Sequence, residues 1–166
     1  MQKLVRRARA KSPWILHFDC GSCNGCDIET LCCLTPLYDV ERFGAVNVGN
    51  PLHADVLVVT GTVNHRNKDV LRTLWEQMPE PRAVVAVGAC ALSGGVFHDA
   101  YNVVGGVDKV IPVTVYVPGC PAKPESILDG VLRAVAIMGT AEGRADQTAD
   151  QAADQTADQA AAREEA

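Results

Sequence analysis

The chain has 166 residues, 48% of them hydrophobic and 5% aromatic, with a formal net charge of −5 at pH 7. That length supports one domain with a core, and the few rings and negative balance exclude a base-stacking or phosphate-binding nucleic-acid protein. No apolar run approaches the roughly 18 residues of a membrane helix.

The charge is unevenly spread. Residues 1–11 carry five basic side chains and no acid, whereas residues 141–166 carry seven acids against two bases. Residues 1–12 (MQKLVRRARAKS) are predicted to form a basic N-terminal arm, either a solvated terminus or a docking segment for an acidic partner or anionic lipid. Arg6-Arg7 resembles the start of a twin-arginine signal. Lys11, Ser12 and Pro13 follow in place of an apolar stretch, so no export is expected. The sequence therefore predicts a cytoplasmic setting. Seven cysteines in such a setting point to metal or redox chemistry rather than disulfides.

Trp14–Phe18 (WILHF) is a predicted first strand, followed by the Gly-rich turn Cys20–Cys26. Asp27 is a candidate cap for a helix through Leu34, which Thr35-Pro36 ends. His53–Thr60 is a second strand. Val63–Met78 is a predicted helix, with Val70, Leu71, Leu74 and Met78 near helical spacing and Pro79 and Pro81 stopping it. Ala83–Val87, apolar throughout, is a third strand buried on both faces. The Gly-rich stretch Ser93–Gly106 shows no clear element. Thr114–Val117 is a fourth strand running into Pro118-Gly119-Cys120-Pro121. Residues 123–138 are a helix with Pro124 in its first turn and Ile127, Leu128, Val131, Leu132, Val135 and Met138 on one face.

Strands alternating with helices imply an α/β fold with a parallel sheet and flanking helices, here over residues 13–138. Residues 139–166 form a low-complexity acidic tail, in which ADQTADQA at 145–152 recurs at 153–160. An aspartate every fourth residue would stack like charges along a helix, and no large apolar residue follows Met138. The tail is predicted to be disordered and carries no chemistry.

The cysteines fall where strands end. Cys20, Cys23 and Cys26 follow the first strand, Cys90 the third and Cys120 the fourth. In a parallel sheet those loops open at one carboxyl edge. A thiolate set with no histidine at matching positions suits an iron–sulfur centre or zinc. Zinc ribbons present two paired knuckles, whereas one pair with two solitary cysteines fits the separate corners of a 4Fe–4S cluster. Gly88 lies two residues before Cys90 and Gly119 directly before Cys120, which lets backbone N–H groups approach sulfur. Cys120-Pro121 also matches the ending of bacterial ferredoxin runs. Cys32 and Cys33, beside Leu31 and Leu34, are predicted core thiols. Cys20-x2-Cys23-x2-Cys26 offers two overlapping pairs, and spacing leaves both open. His17, His53, His65 and His98 show no ligand spacing; His98-Asp99 is a candidate for a subunit interface. Gly88–Gly95 has no phosphate-loop pattern, which excludes nucleotide binding of that kind.

The segments GSCNGCDIE (21–29), LTPLYDVERFG (34–44), HADVLVVTG (53–61), VGACALSGGVF (87–97) and VYVPGCPAKPESI (115–127) carry a family resemblance. The chain resembles the small subunit of group 4, membrane-bound NiFe hydrogenases of the energy-converting Ech and CO-induced types. It is similar also to the homologous small subunit of respiratory complex I. The resemblance spans about residues 13–138 and implies a flavodoxin-like domain holding one proximal 4Fe–4S cluster. Its first two ligands, from a C-x-G-C motif, map onto Cys23 and Cys26, and the others onto Cys90 and Cys120; Cys20 is left as an extra neighbour.

The same resemblance implies a NiFe large subunit that holds the H2 site this chain lacks, a ferredoxin-like iron–sulfur subunit, and integral membrane subunits that couple electron flow to ion translocation. They would hold the chain peripherally on the cytoplasmic face of the membrane. Glu29, three residues after Cys26, is a candidate for proton transfer or a first-turn helix acid. Complex I small subunits carry adjacent cysteines where this chain has Cys23-Asn24-Gly25-Cys26. Periplasmic uptake hydrogenases carry two further clusters, but no cysteine follows Cys120 here, so one cluster is expected. Two alternatives remain: the equivalent subunit of a complex I-like NADH/quinone oxidoreductase, and a zinc-stabilised interaction domain.

Overall fold

The structure, a computed structural model, describes Arg9 and residues 11–139. Most of the arm at 1–12 and all but the first residue of the tail at 139–166 lie outside the described residues. The strands are β1 (Trp14–Asp19), β2 (Val46–Asn47), β3 (Val56–Thr60), β4 (Val63–Asn64), β5 (Ala83–Val87), β6 (Val103–Gly105) and β7 (Val115–Val117). The helices are α1 (Gly25–Cys32), α2 (Lys68–Gln77), α3 (Gly88–Ser93) and α4 (Pro124–Gly139).

Five strands form one sheet in the order β2-β1-β3-β5-β7, and every pairing is parallel. Taken in chain order these are the 2-1-3-4-5 arrangement of flavodoxin-like folds. Side-chain alternation divides the core. Val56, Val58, Val85 and Val87 pack with Ile127, Val131 and Val135 of α4 on one face. Leu57, Val59, Val84 and Ala86 pack with Leu71 and Trp75 of α2 on the other. All residues of β3 and β5 are buried, as expected for strands covered on both faces.

The strand register positions the site. Asp19 pairs with Thr60, Thr60 with Val87, and Val87 with Val117. The carboxyl ends of β1, β3, β5 and β7 thus lie in one transverse row, and every cysteine-bearing loop starts from it. At the amino edge, Asp55 Oδ1 lies 3.2 Å from Arg9 Nε, and its Oδ2 accepts the Trp14 N–H at 3.1 Å. No helix among the described residues is long and apolar enough to cross a membrane.

Four sequence expectations are corrected. The helix predicted over Val63–Met78 begins at Lys68, because Val63–Asn64 instead pairs antiparallel with Val103–Gly105. That pairing also puts a strand in the stretch Ser93–Gly106. The strand predicted from His53 begins at Val56, since Pro51–His53 forms a 3-10 turn in which Asn50 Oδ1 accepts the Leu52 N–H. Finally, α1 starts at Gly25 with Asn24 before it in the left-handed region (φ 66°), so Asp27 lies inside the first turn and is not its cap.

Candidate metal centre

The loop after β1 is held by polar side chains from the neighbouring strand ends. Asp19 Oδ1 accepts the N–H groups of Gly21 and Ser22 at 2.7 and 2.6 Å. The Cys20 N–H donates to Thr60 O at 2.9 Å. The Cys20 carbonyl accepts from the amides of Asn64 and Asn67, both at 3.0 Å, and Thr62 Oγ1 donates to the Gly21 carbonyl at 3.2 Å. This is what β4 and the loop into α2 contribute: they clamp the cysteine loop from one side.

On the other side the chain crosses toward β7. A Cβ at Gly25 would sit 3.5 Å from Pro121 Cβ. The Ala89 N–H donates to Gly119 O at 2.8 Å and ties the β5 and β7 loops together. Gly88 has φ +85°, and a Cβ there would run into Cys26 Sγ. A Cβ at Gly95 would lie 3.2 Å from Cys90 Sγ. Glycines thus leave room for two of the sulfurs, and the Ala122 N–H donates to Cys26.

Four thiols converge from these loops. Burial pushes the Cys90 thiol up, and Cys120, Cys23 and Cys26 each push it further. Burial also pushes Cys26 up; the Ala122 N–H opposes this, while Asp27, Cys120 and Cys23 add to it. Cys23, Cys26, Cys90 and Cys120 therefore lie within electrostatic reach of one another. Cys23 and Cys120 are exposed, and Cys26 and Cys90 are half-buried. Four thiolates so placed repel one another unless positive charge lies between them, so the donor set fits a cationic thiolate-ligated metal group. Among the described residues, no three His, Cys, Asp or Glu side chains are grouped closely enough to hold a single metal ion.

The other three cysteines lie apart from this convergence. Cys20 is fully buried with Leu16 on the α2 side of the sheet, and burial, then the Asp19 charge, pushes its thiol up to about 12. Burial, then Cys32, pushes Cys33 up to about 11; its Sγ donates to the Glu29 and Pro124 carbonyls. Cys32 is half-buried beside it, so the core role expected of this pair holds for Cys33. Thiolate is the nucleophile in alkylation. Iodoacetamide at about pH 8 is therefore expected to modify Cys23 and Cys120 of the metal-free chain and to spare Cys20 until the chain unfolds. Peptide mass mapping checks this, and labelling of Cys20 as fast as Cys23 would contradict it.

Asp27 is an acid whose charge bears on Cys26. Its carboxylate takes hydrogen bonds from Ser22 Oγ and from Thr60 Oγ1 at 2.5 Å, and His17 Nε2 lies 2.9 Å from Oδ1. Sequence reasoning missed Thr60 and set His17 aside, because strand pairing alone brings them to Asp27. Glu29 is half-buried one turn after Cys26, and its charge bears on Cys33 and Tyr38. His53 packs edge-on against Trp14 at the start of β1, and His98 Nε2 lies 3.0 Å from Asp99 Oδ2 in an exposed pair. Apolar side chains are exposed in the segments that follow Cys26 and Cys90 in the chain. They are Ile28, Leu31, Leu34 and Leu37 from α1 and the turn after it, and Val96, Phe97 and Tyr101 after Cys90.

Residues 23–134 match the family described as NADH ubiquinone oxidoreductase, 20 Kd subunit. The probable membrane-bound hydrogenase subunit mbhJ of Pyrococcus furiosus is 50% identical over 125 residues, 75% of each chain. An NADH-quinone oxidoreductase subunit of Flavobacterium psychrophilum is 52% identical over 134 residues, 80% of this chain and 72% of its own. Among solved structures, a chain of the membrane-bound sulfane sulfur reductase, an archaeal respiratory membrane complex, superposes with a TM-score of 0.74 at 36% identity, covering 86% of this chain and 78% of that one. These relatives are subunits of oxidoreductase complexes, and the chain belongs to the NADH ubiquinone oxidoreductase 20 kDa subunit family.

Proposed function

We propose that this chain is the electron-transfer small subunit of a membrane-associated, energy-converting NiFe hydrogenase, and that Cys23, Cys26, Cys90 and Cys120 hold one 4Fe–4S cluster. The observation that carries this reading is the convergence of those four thiols, and of no other cysteine, from the segments that follow β1, β5 and β7 at one sheet edge. One pair of cysteines after β1 with two solitary cysteines elsewhere suits the separate irons of a cluster better than the paired knuckles of a zinc site. When bound, such a cluster supplies one-electron transfer.

The chain's own residues hold and insulate that group. Glycines at 88 and 95 make room for the sulfurs, and the Ala122 N–H donates to one of them. The exposed apolar residues at 28, 31, 96, 97 and 101 fit burial against a large subunit carrying the NiFe site. A ferredoxin-like subunit and integral membrane subunits would complete the complex, with the chain held peripherally at the cytoplasmic face. Glu29 is the acid we assign to proton transfer. The Cys23-Asn24-Gly25-Cys26 spacing favours the hydrogenase branch, whereas the 52% identity to an NADH-quinone oxidoreductase subunit favours the complex I branch as the second reading.

The test is metal analysis and EPR on the complex purified without oxygen. About four irons and four acid-labile sulfides per cluster are expected, with a signal from reduced cluster on adding H2 alone. Stoichiometric zinc without sulfide at these cysteines would overturn the cluster. A signal that NADH elicits and H2 does not would move the chain to the complex I branch.

A further inference from the structure

α1 carries one proposed ligand, Cys26, and follows directly on another, Cys23, yet none of its residues is buried. Ile28 and Leu31 are 58% and 55% exposed, and the apolar packing of the helix on the sheet is limited to the half-buried Cys26. A helix start is ordinarily steadied by a side chain at the cap position. Here Asn24 is left-handed and its side chain makes no capping bond. Something else must hold the first turn of α1.

Asp27 supplies that hold. It lies in the first turn, and its carboxylate reaches the ends of two sheet strands. Oδ1 accepts from Thr60 Oγ1 of β3 at 2.5 Å and lies 2.9 Å from His17 Nε2 of β1. His17 Nε2 is also 3.0 Å from Thr60 Oγ1, so the three groups form a closed triangle. Oδ2 accepts from Ser22 Oγ, which in turn accepts the Asn24 N–H at 2.9 Å. One carboxylate therefore ties the helix start to the sheet and to the turn that carries Cys23. A carboxylate with these donors around it is an anion at neutral pH, and it sits in the same first turn of α1 as Cys26.

We infer that Asp27, held by Thr60, His17 and Ser22, is a positioning residue: it sets the Cys23 and Cys26 sulfurs and keeps a fixed negative charge beside them. This rests on the cluster assigned above to Cys23, Cys26, Cys90 and Cys120. Reduction adds an electron to that site, so a fixed neighbouring anion opposes it and lowers the potential.

The test compares Asp27→Ala, Asp27→Asn and Thr60→Val in the assembled complex by iron and sulfide content, EPR line shape and redox titration. Asp27→Ala is expected to bind iron but to give a broadened, heterogeneous signal and a midpoint potential shifted upward. Asp27→Asn keeps an acceptor for Thr60 and His17, so it restores the single line shape while retaining the upward shift. Thr60→Val, equal in shape and lacking one donor, leaves the Asp27 charge in place, so it broadens the signal by less than Asp27→Ala and keeps the potential close to that of wild type. An Asp27→Ala signal and potential equal to wild type would overturn the inference. If that variant does not assemble, an unchanged Thr60→Val signal overturns it. A wild-type complex without iron and sulfide would instead remove the cluster reading itself.

Discussion

Alanine at any one of Cys23, Cys26, Cys90 or Cys120 is expected to strip most iron and sulfide from the protein, whereas alanine at Cys20 or Cys32 is expected to leave both in place. Losing a group that merely supports a metal ligand costs about 10–100-fold in affinity, and losing the ligand itself costs more. The contrast with Cys20 makes the experiment decisive, because Cys20 is only three residues before Cys23. Its thiol is fully buried on the opposite face of the sheet and bears on Asp19 rather than on the other cysteines. Cys20→Ala removes a small buried sulfur, so it is expected to lower stability by about 1 kcal/mol or somewhat more without touching metal content. Iron assay, sulfide assay and EPR spin counting read the first effect, and urea unfolding reads the second. Full iron content in Cys120→Ala, or its loss in Cys20→Ala, would mean the ligand set is wrong.

Gly88→Ala is expected to be nearly as damaging, although it adds only a methyl group. Gly88 has φ +85°, where a side chain costs roughly 1–2 kcal/mol. The new Cβ would also run into Cys26 Sγ, and neither neighbour can retreat easily. Ala89 is bonded to Gly119 O, and Cys26 lies in the first turn of α1 beside Asp27. The substitution should therefore lower unfolding stability by about 2 kcal/mol or more and reduce bound iron several-fold. Gly49→Ala is the control. Nothing lies within 4 Å of a Cβ there, so an effect within about 0.5 kcal/mol is expected. Equal iron content in the two variants would show that the close approach of Gly88 to the sulfur does not matter.

Much of the frame was legible because it rests on local pattern. The apolar runs at 56–60 and 83–87 could be read as strands from composition, and the cysteines immediately after strand ends fall at one edge once the sheet is parallel. The rest depends on contacts distant in sequence. β4 and β6 are two and three residues long, too short to carry a period, and β4 lies within a stretch that continues into genuine helix. Asp27 looked like a cap because its environment was invisible: His17 and Thr60 reach it only through the register of β1 and β3. Cys20 could have been resolved. Leu16 and Phe18 alternate on β1 and Cys20 follows the strand end in the same phase, which already directs that thiol toward the α2 face and away from Cys23 and Cys26.

The row formed by Asp19, Thr60, Val87 and Val117 has a consequence for what loss of the metal group would do. It is built from main-chain pairing and two apolar layers, and its loops are closed by amide and hydroxyl contacts such as Asn64 and Asn67 on Cys20 and Ala89 on Gly119. None of these bonds uses an inorganic group. Small zinc modules collapse when their ion is withdrawn because the ion is most of their cohesion. In this chain cohesion comes from the polypeptide, so stripping the metal group is expected to leave the far-UV circular dichroism of the sheet and helices in place, and its collapse would show that the group holds the frame together.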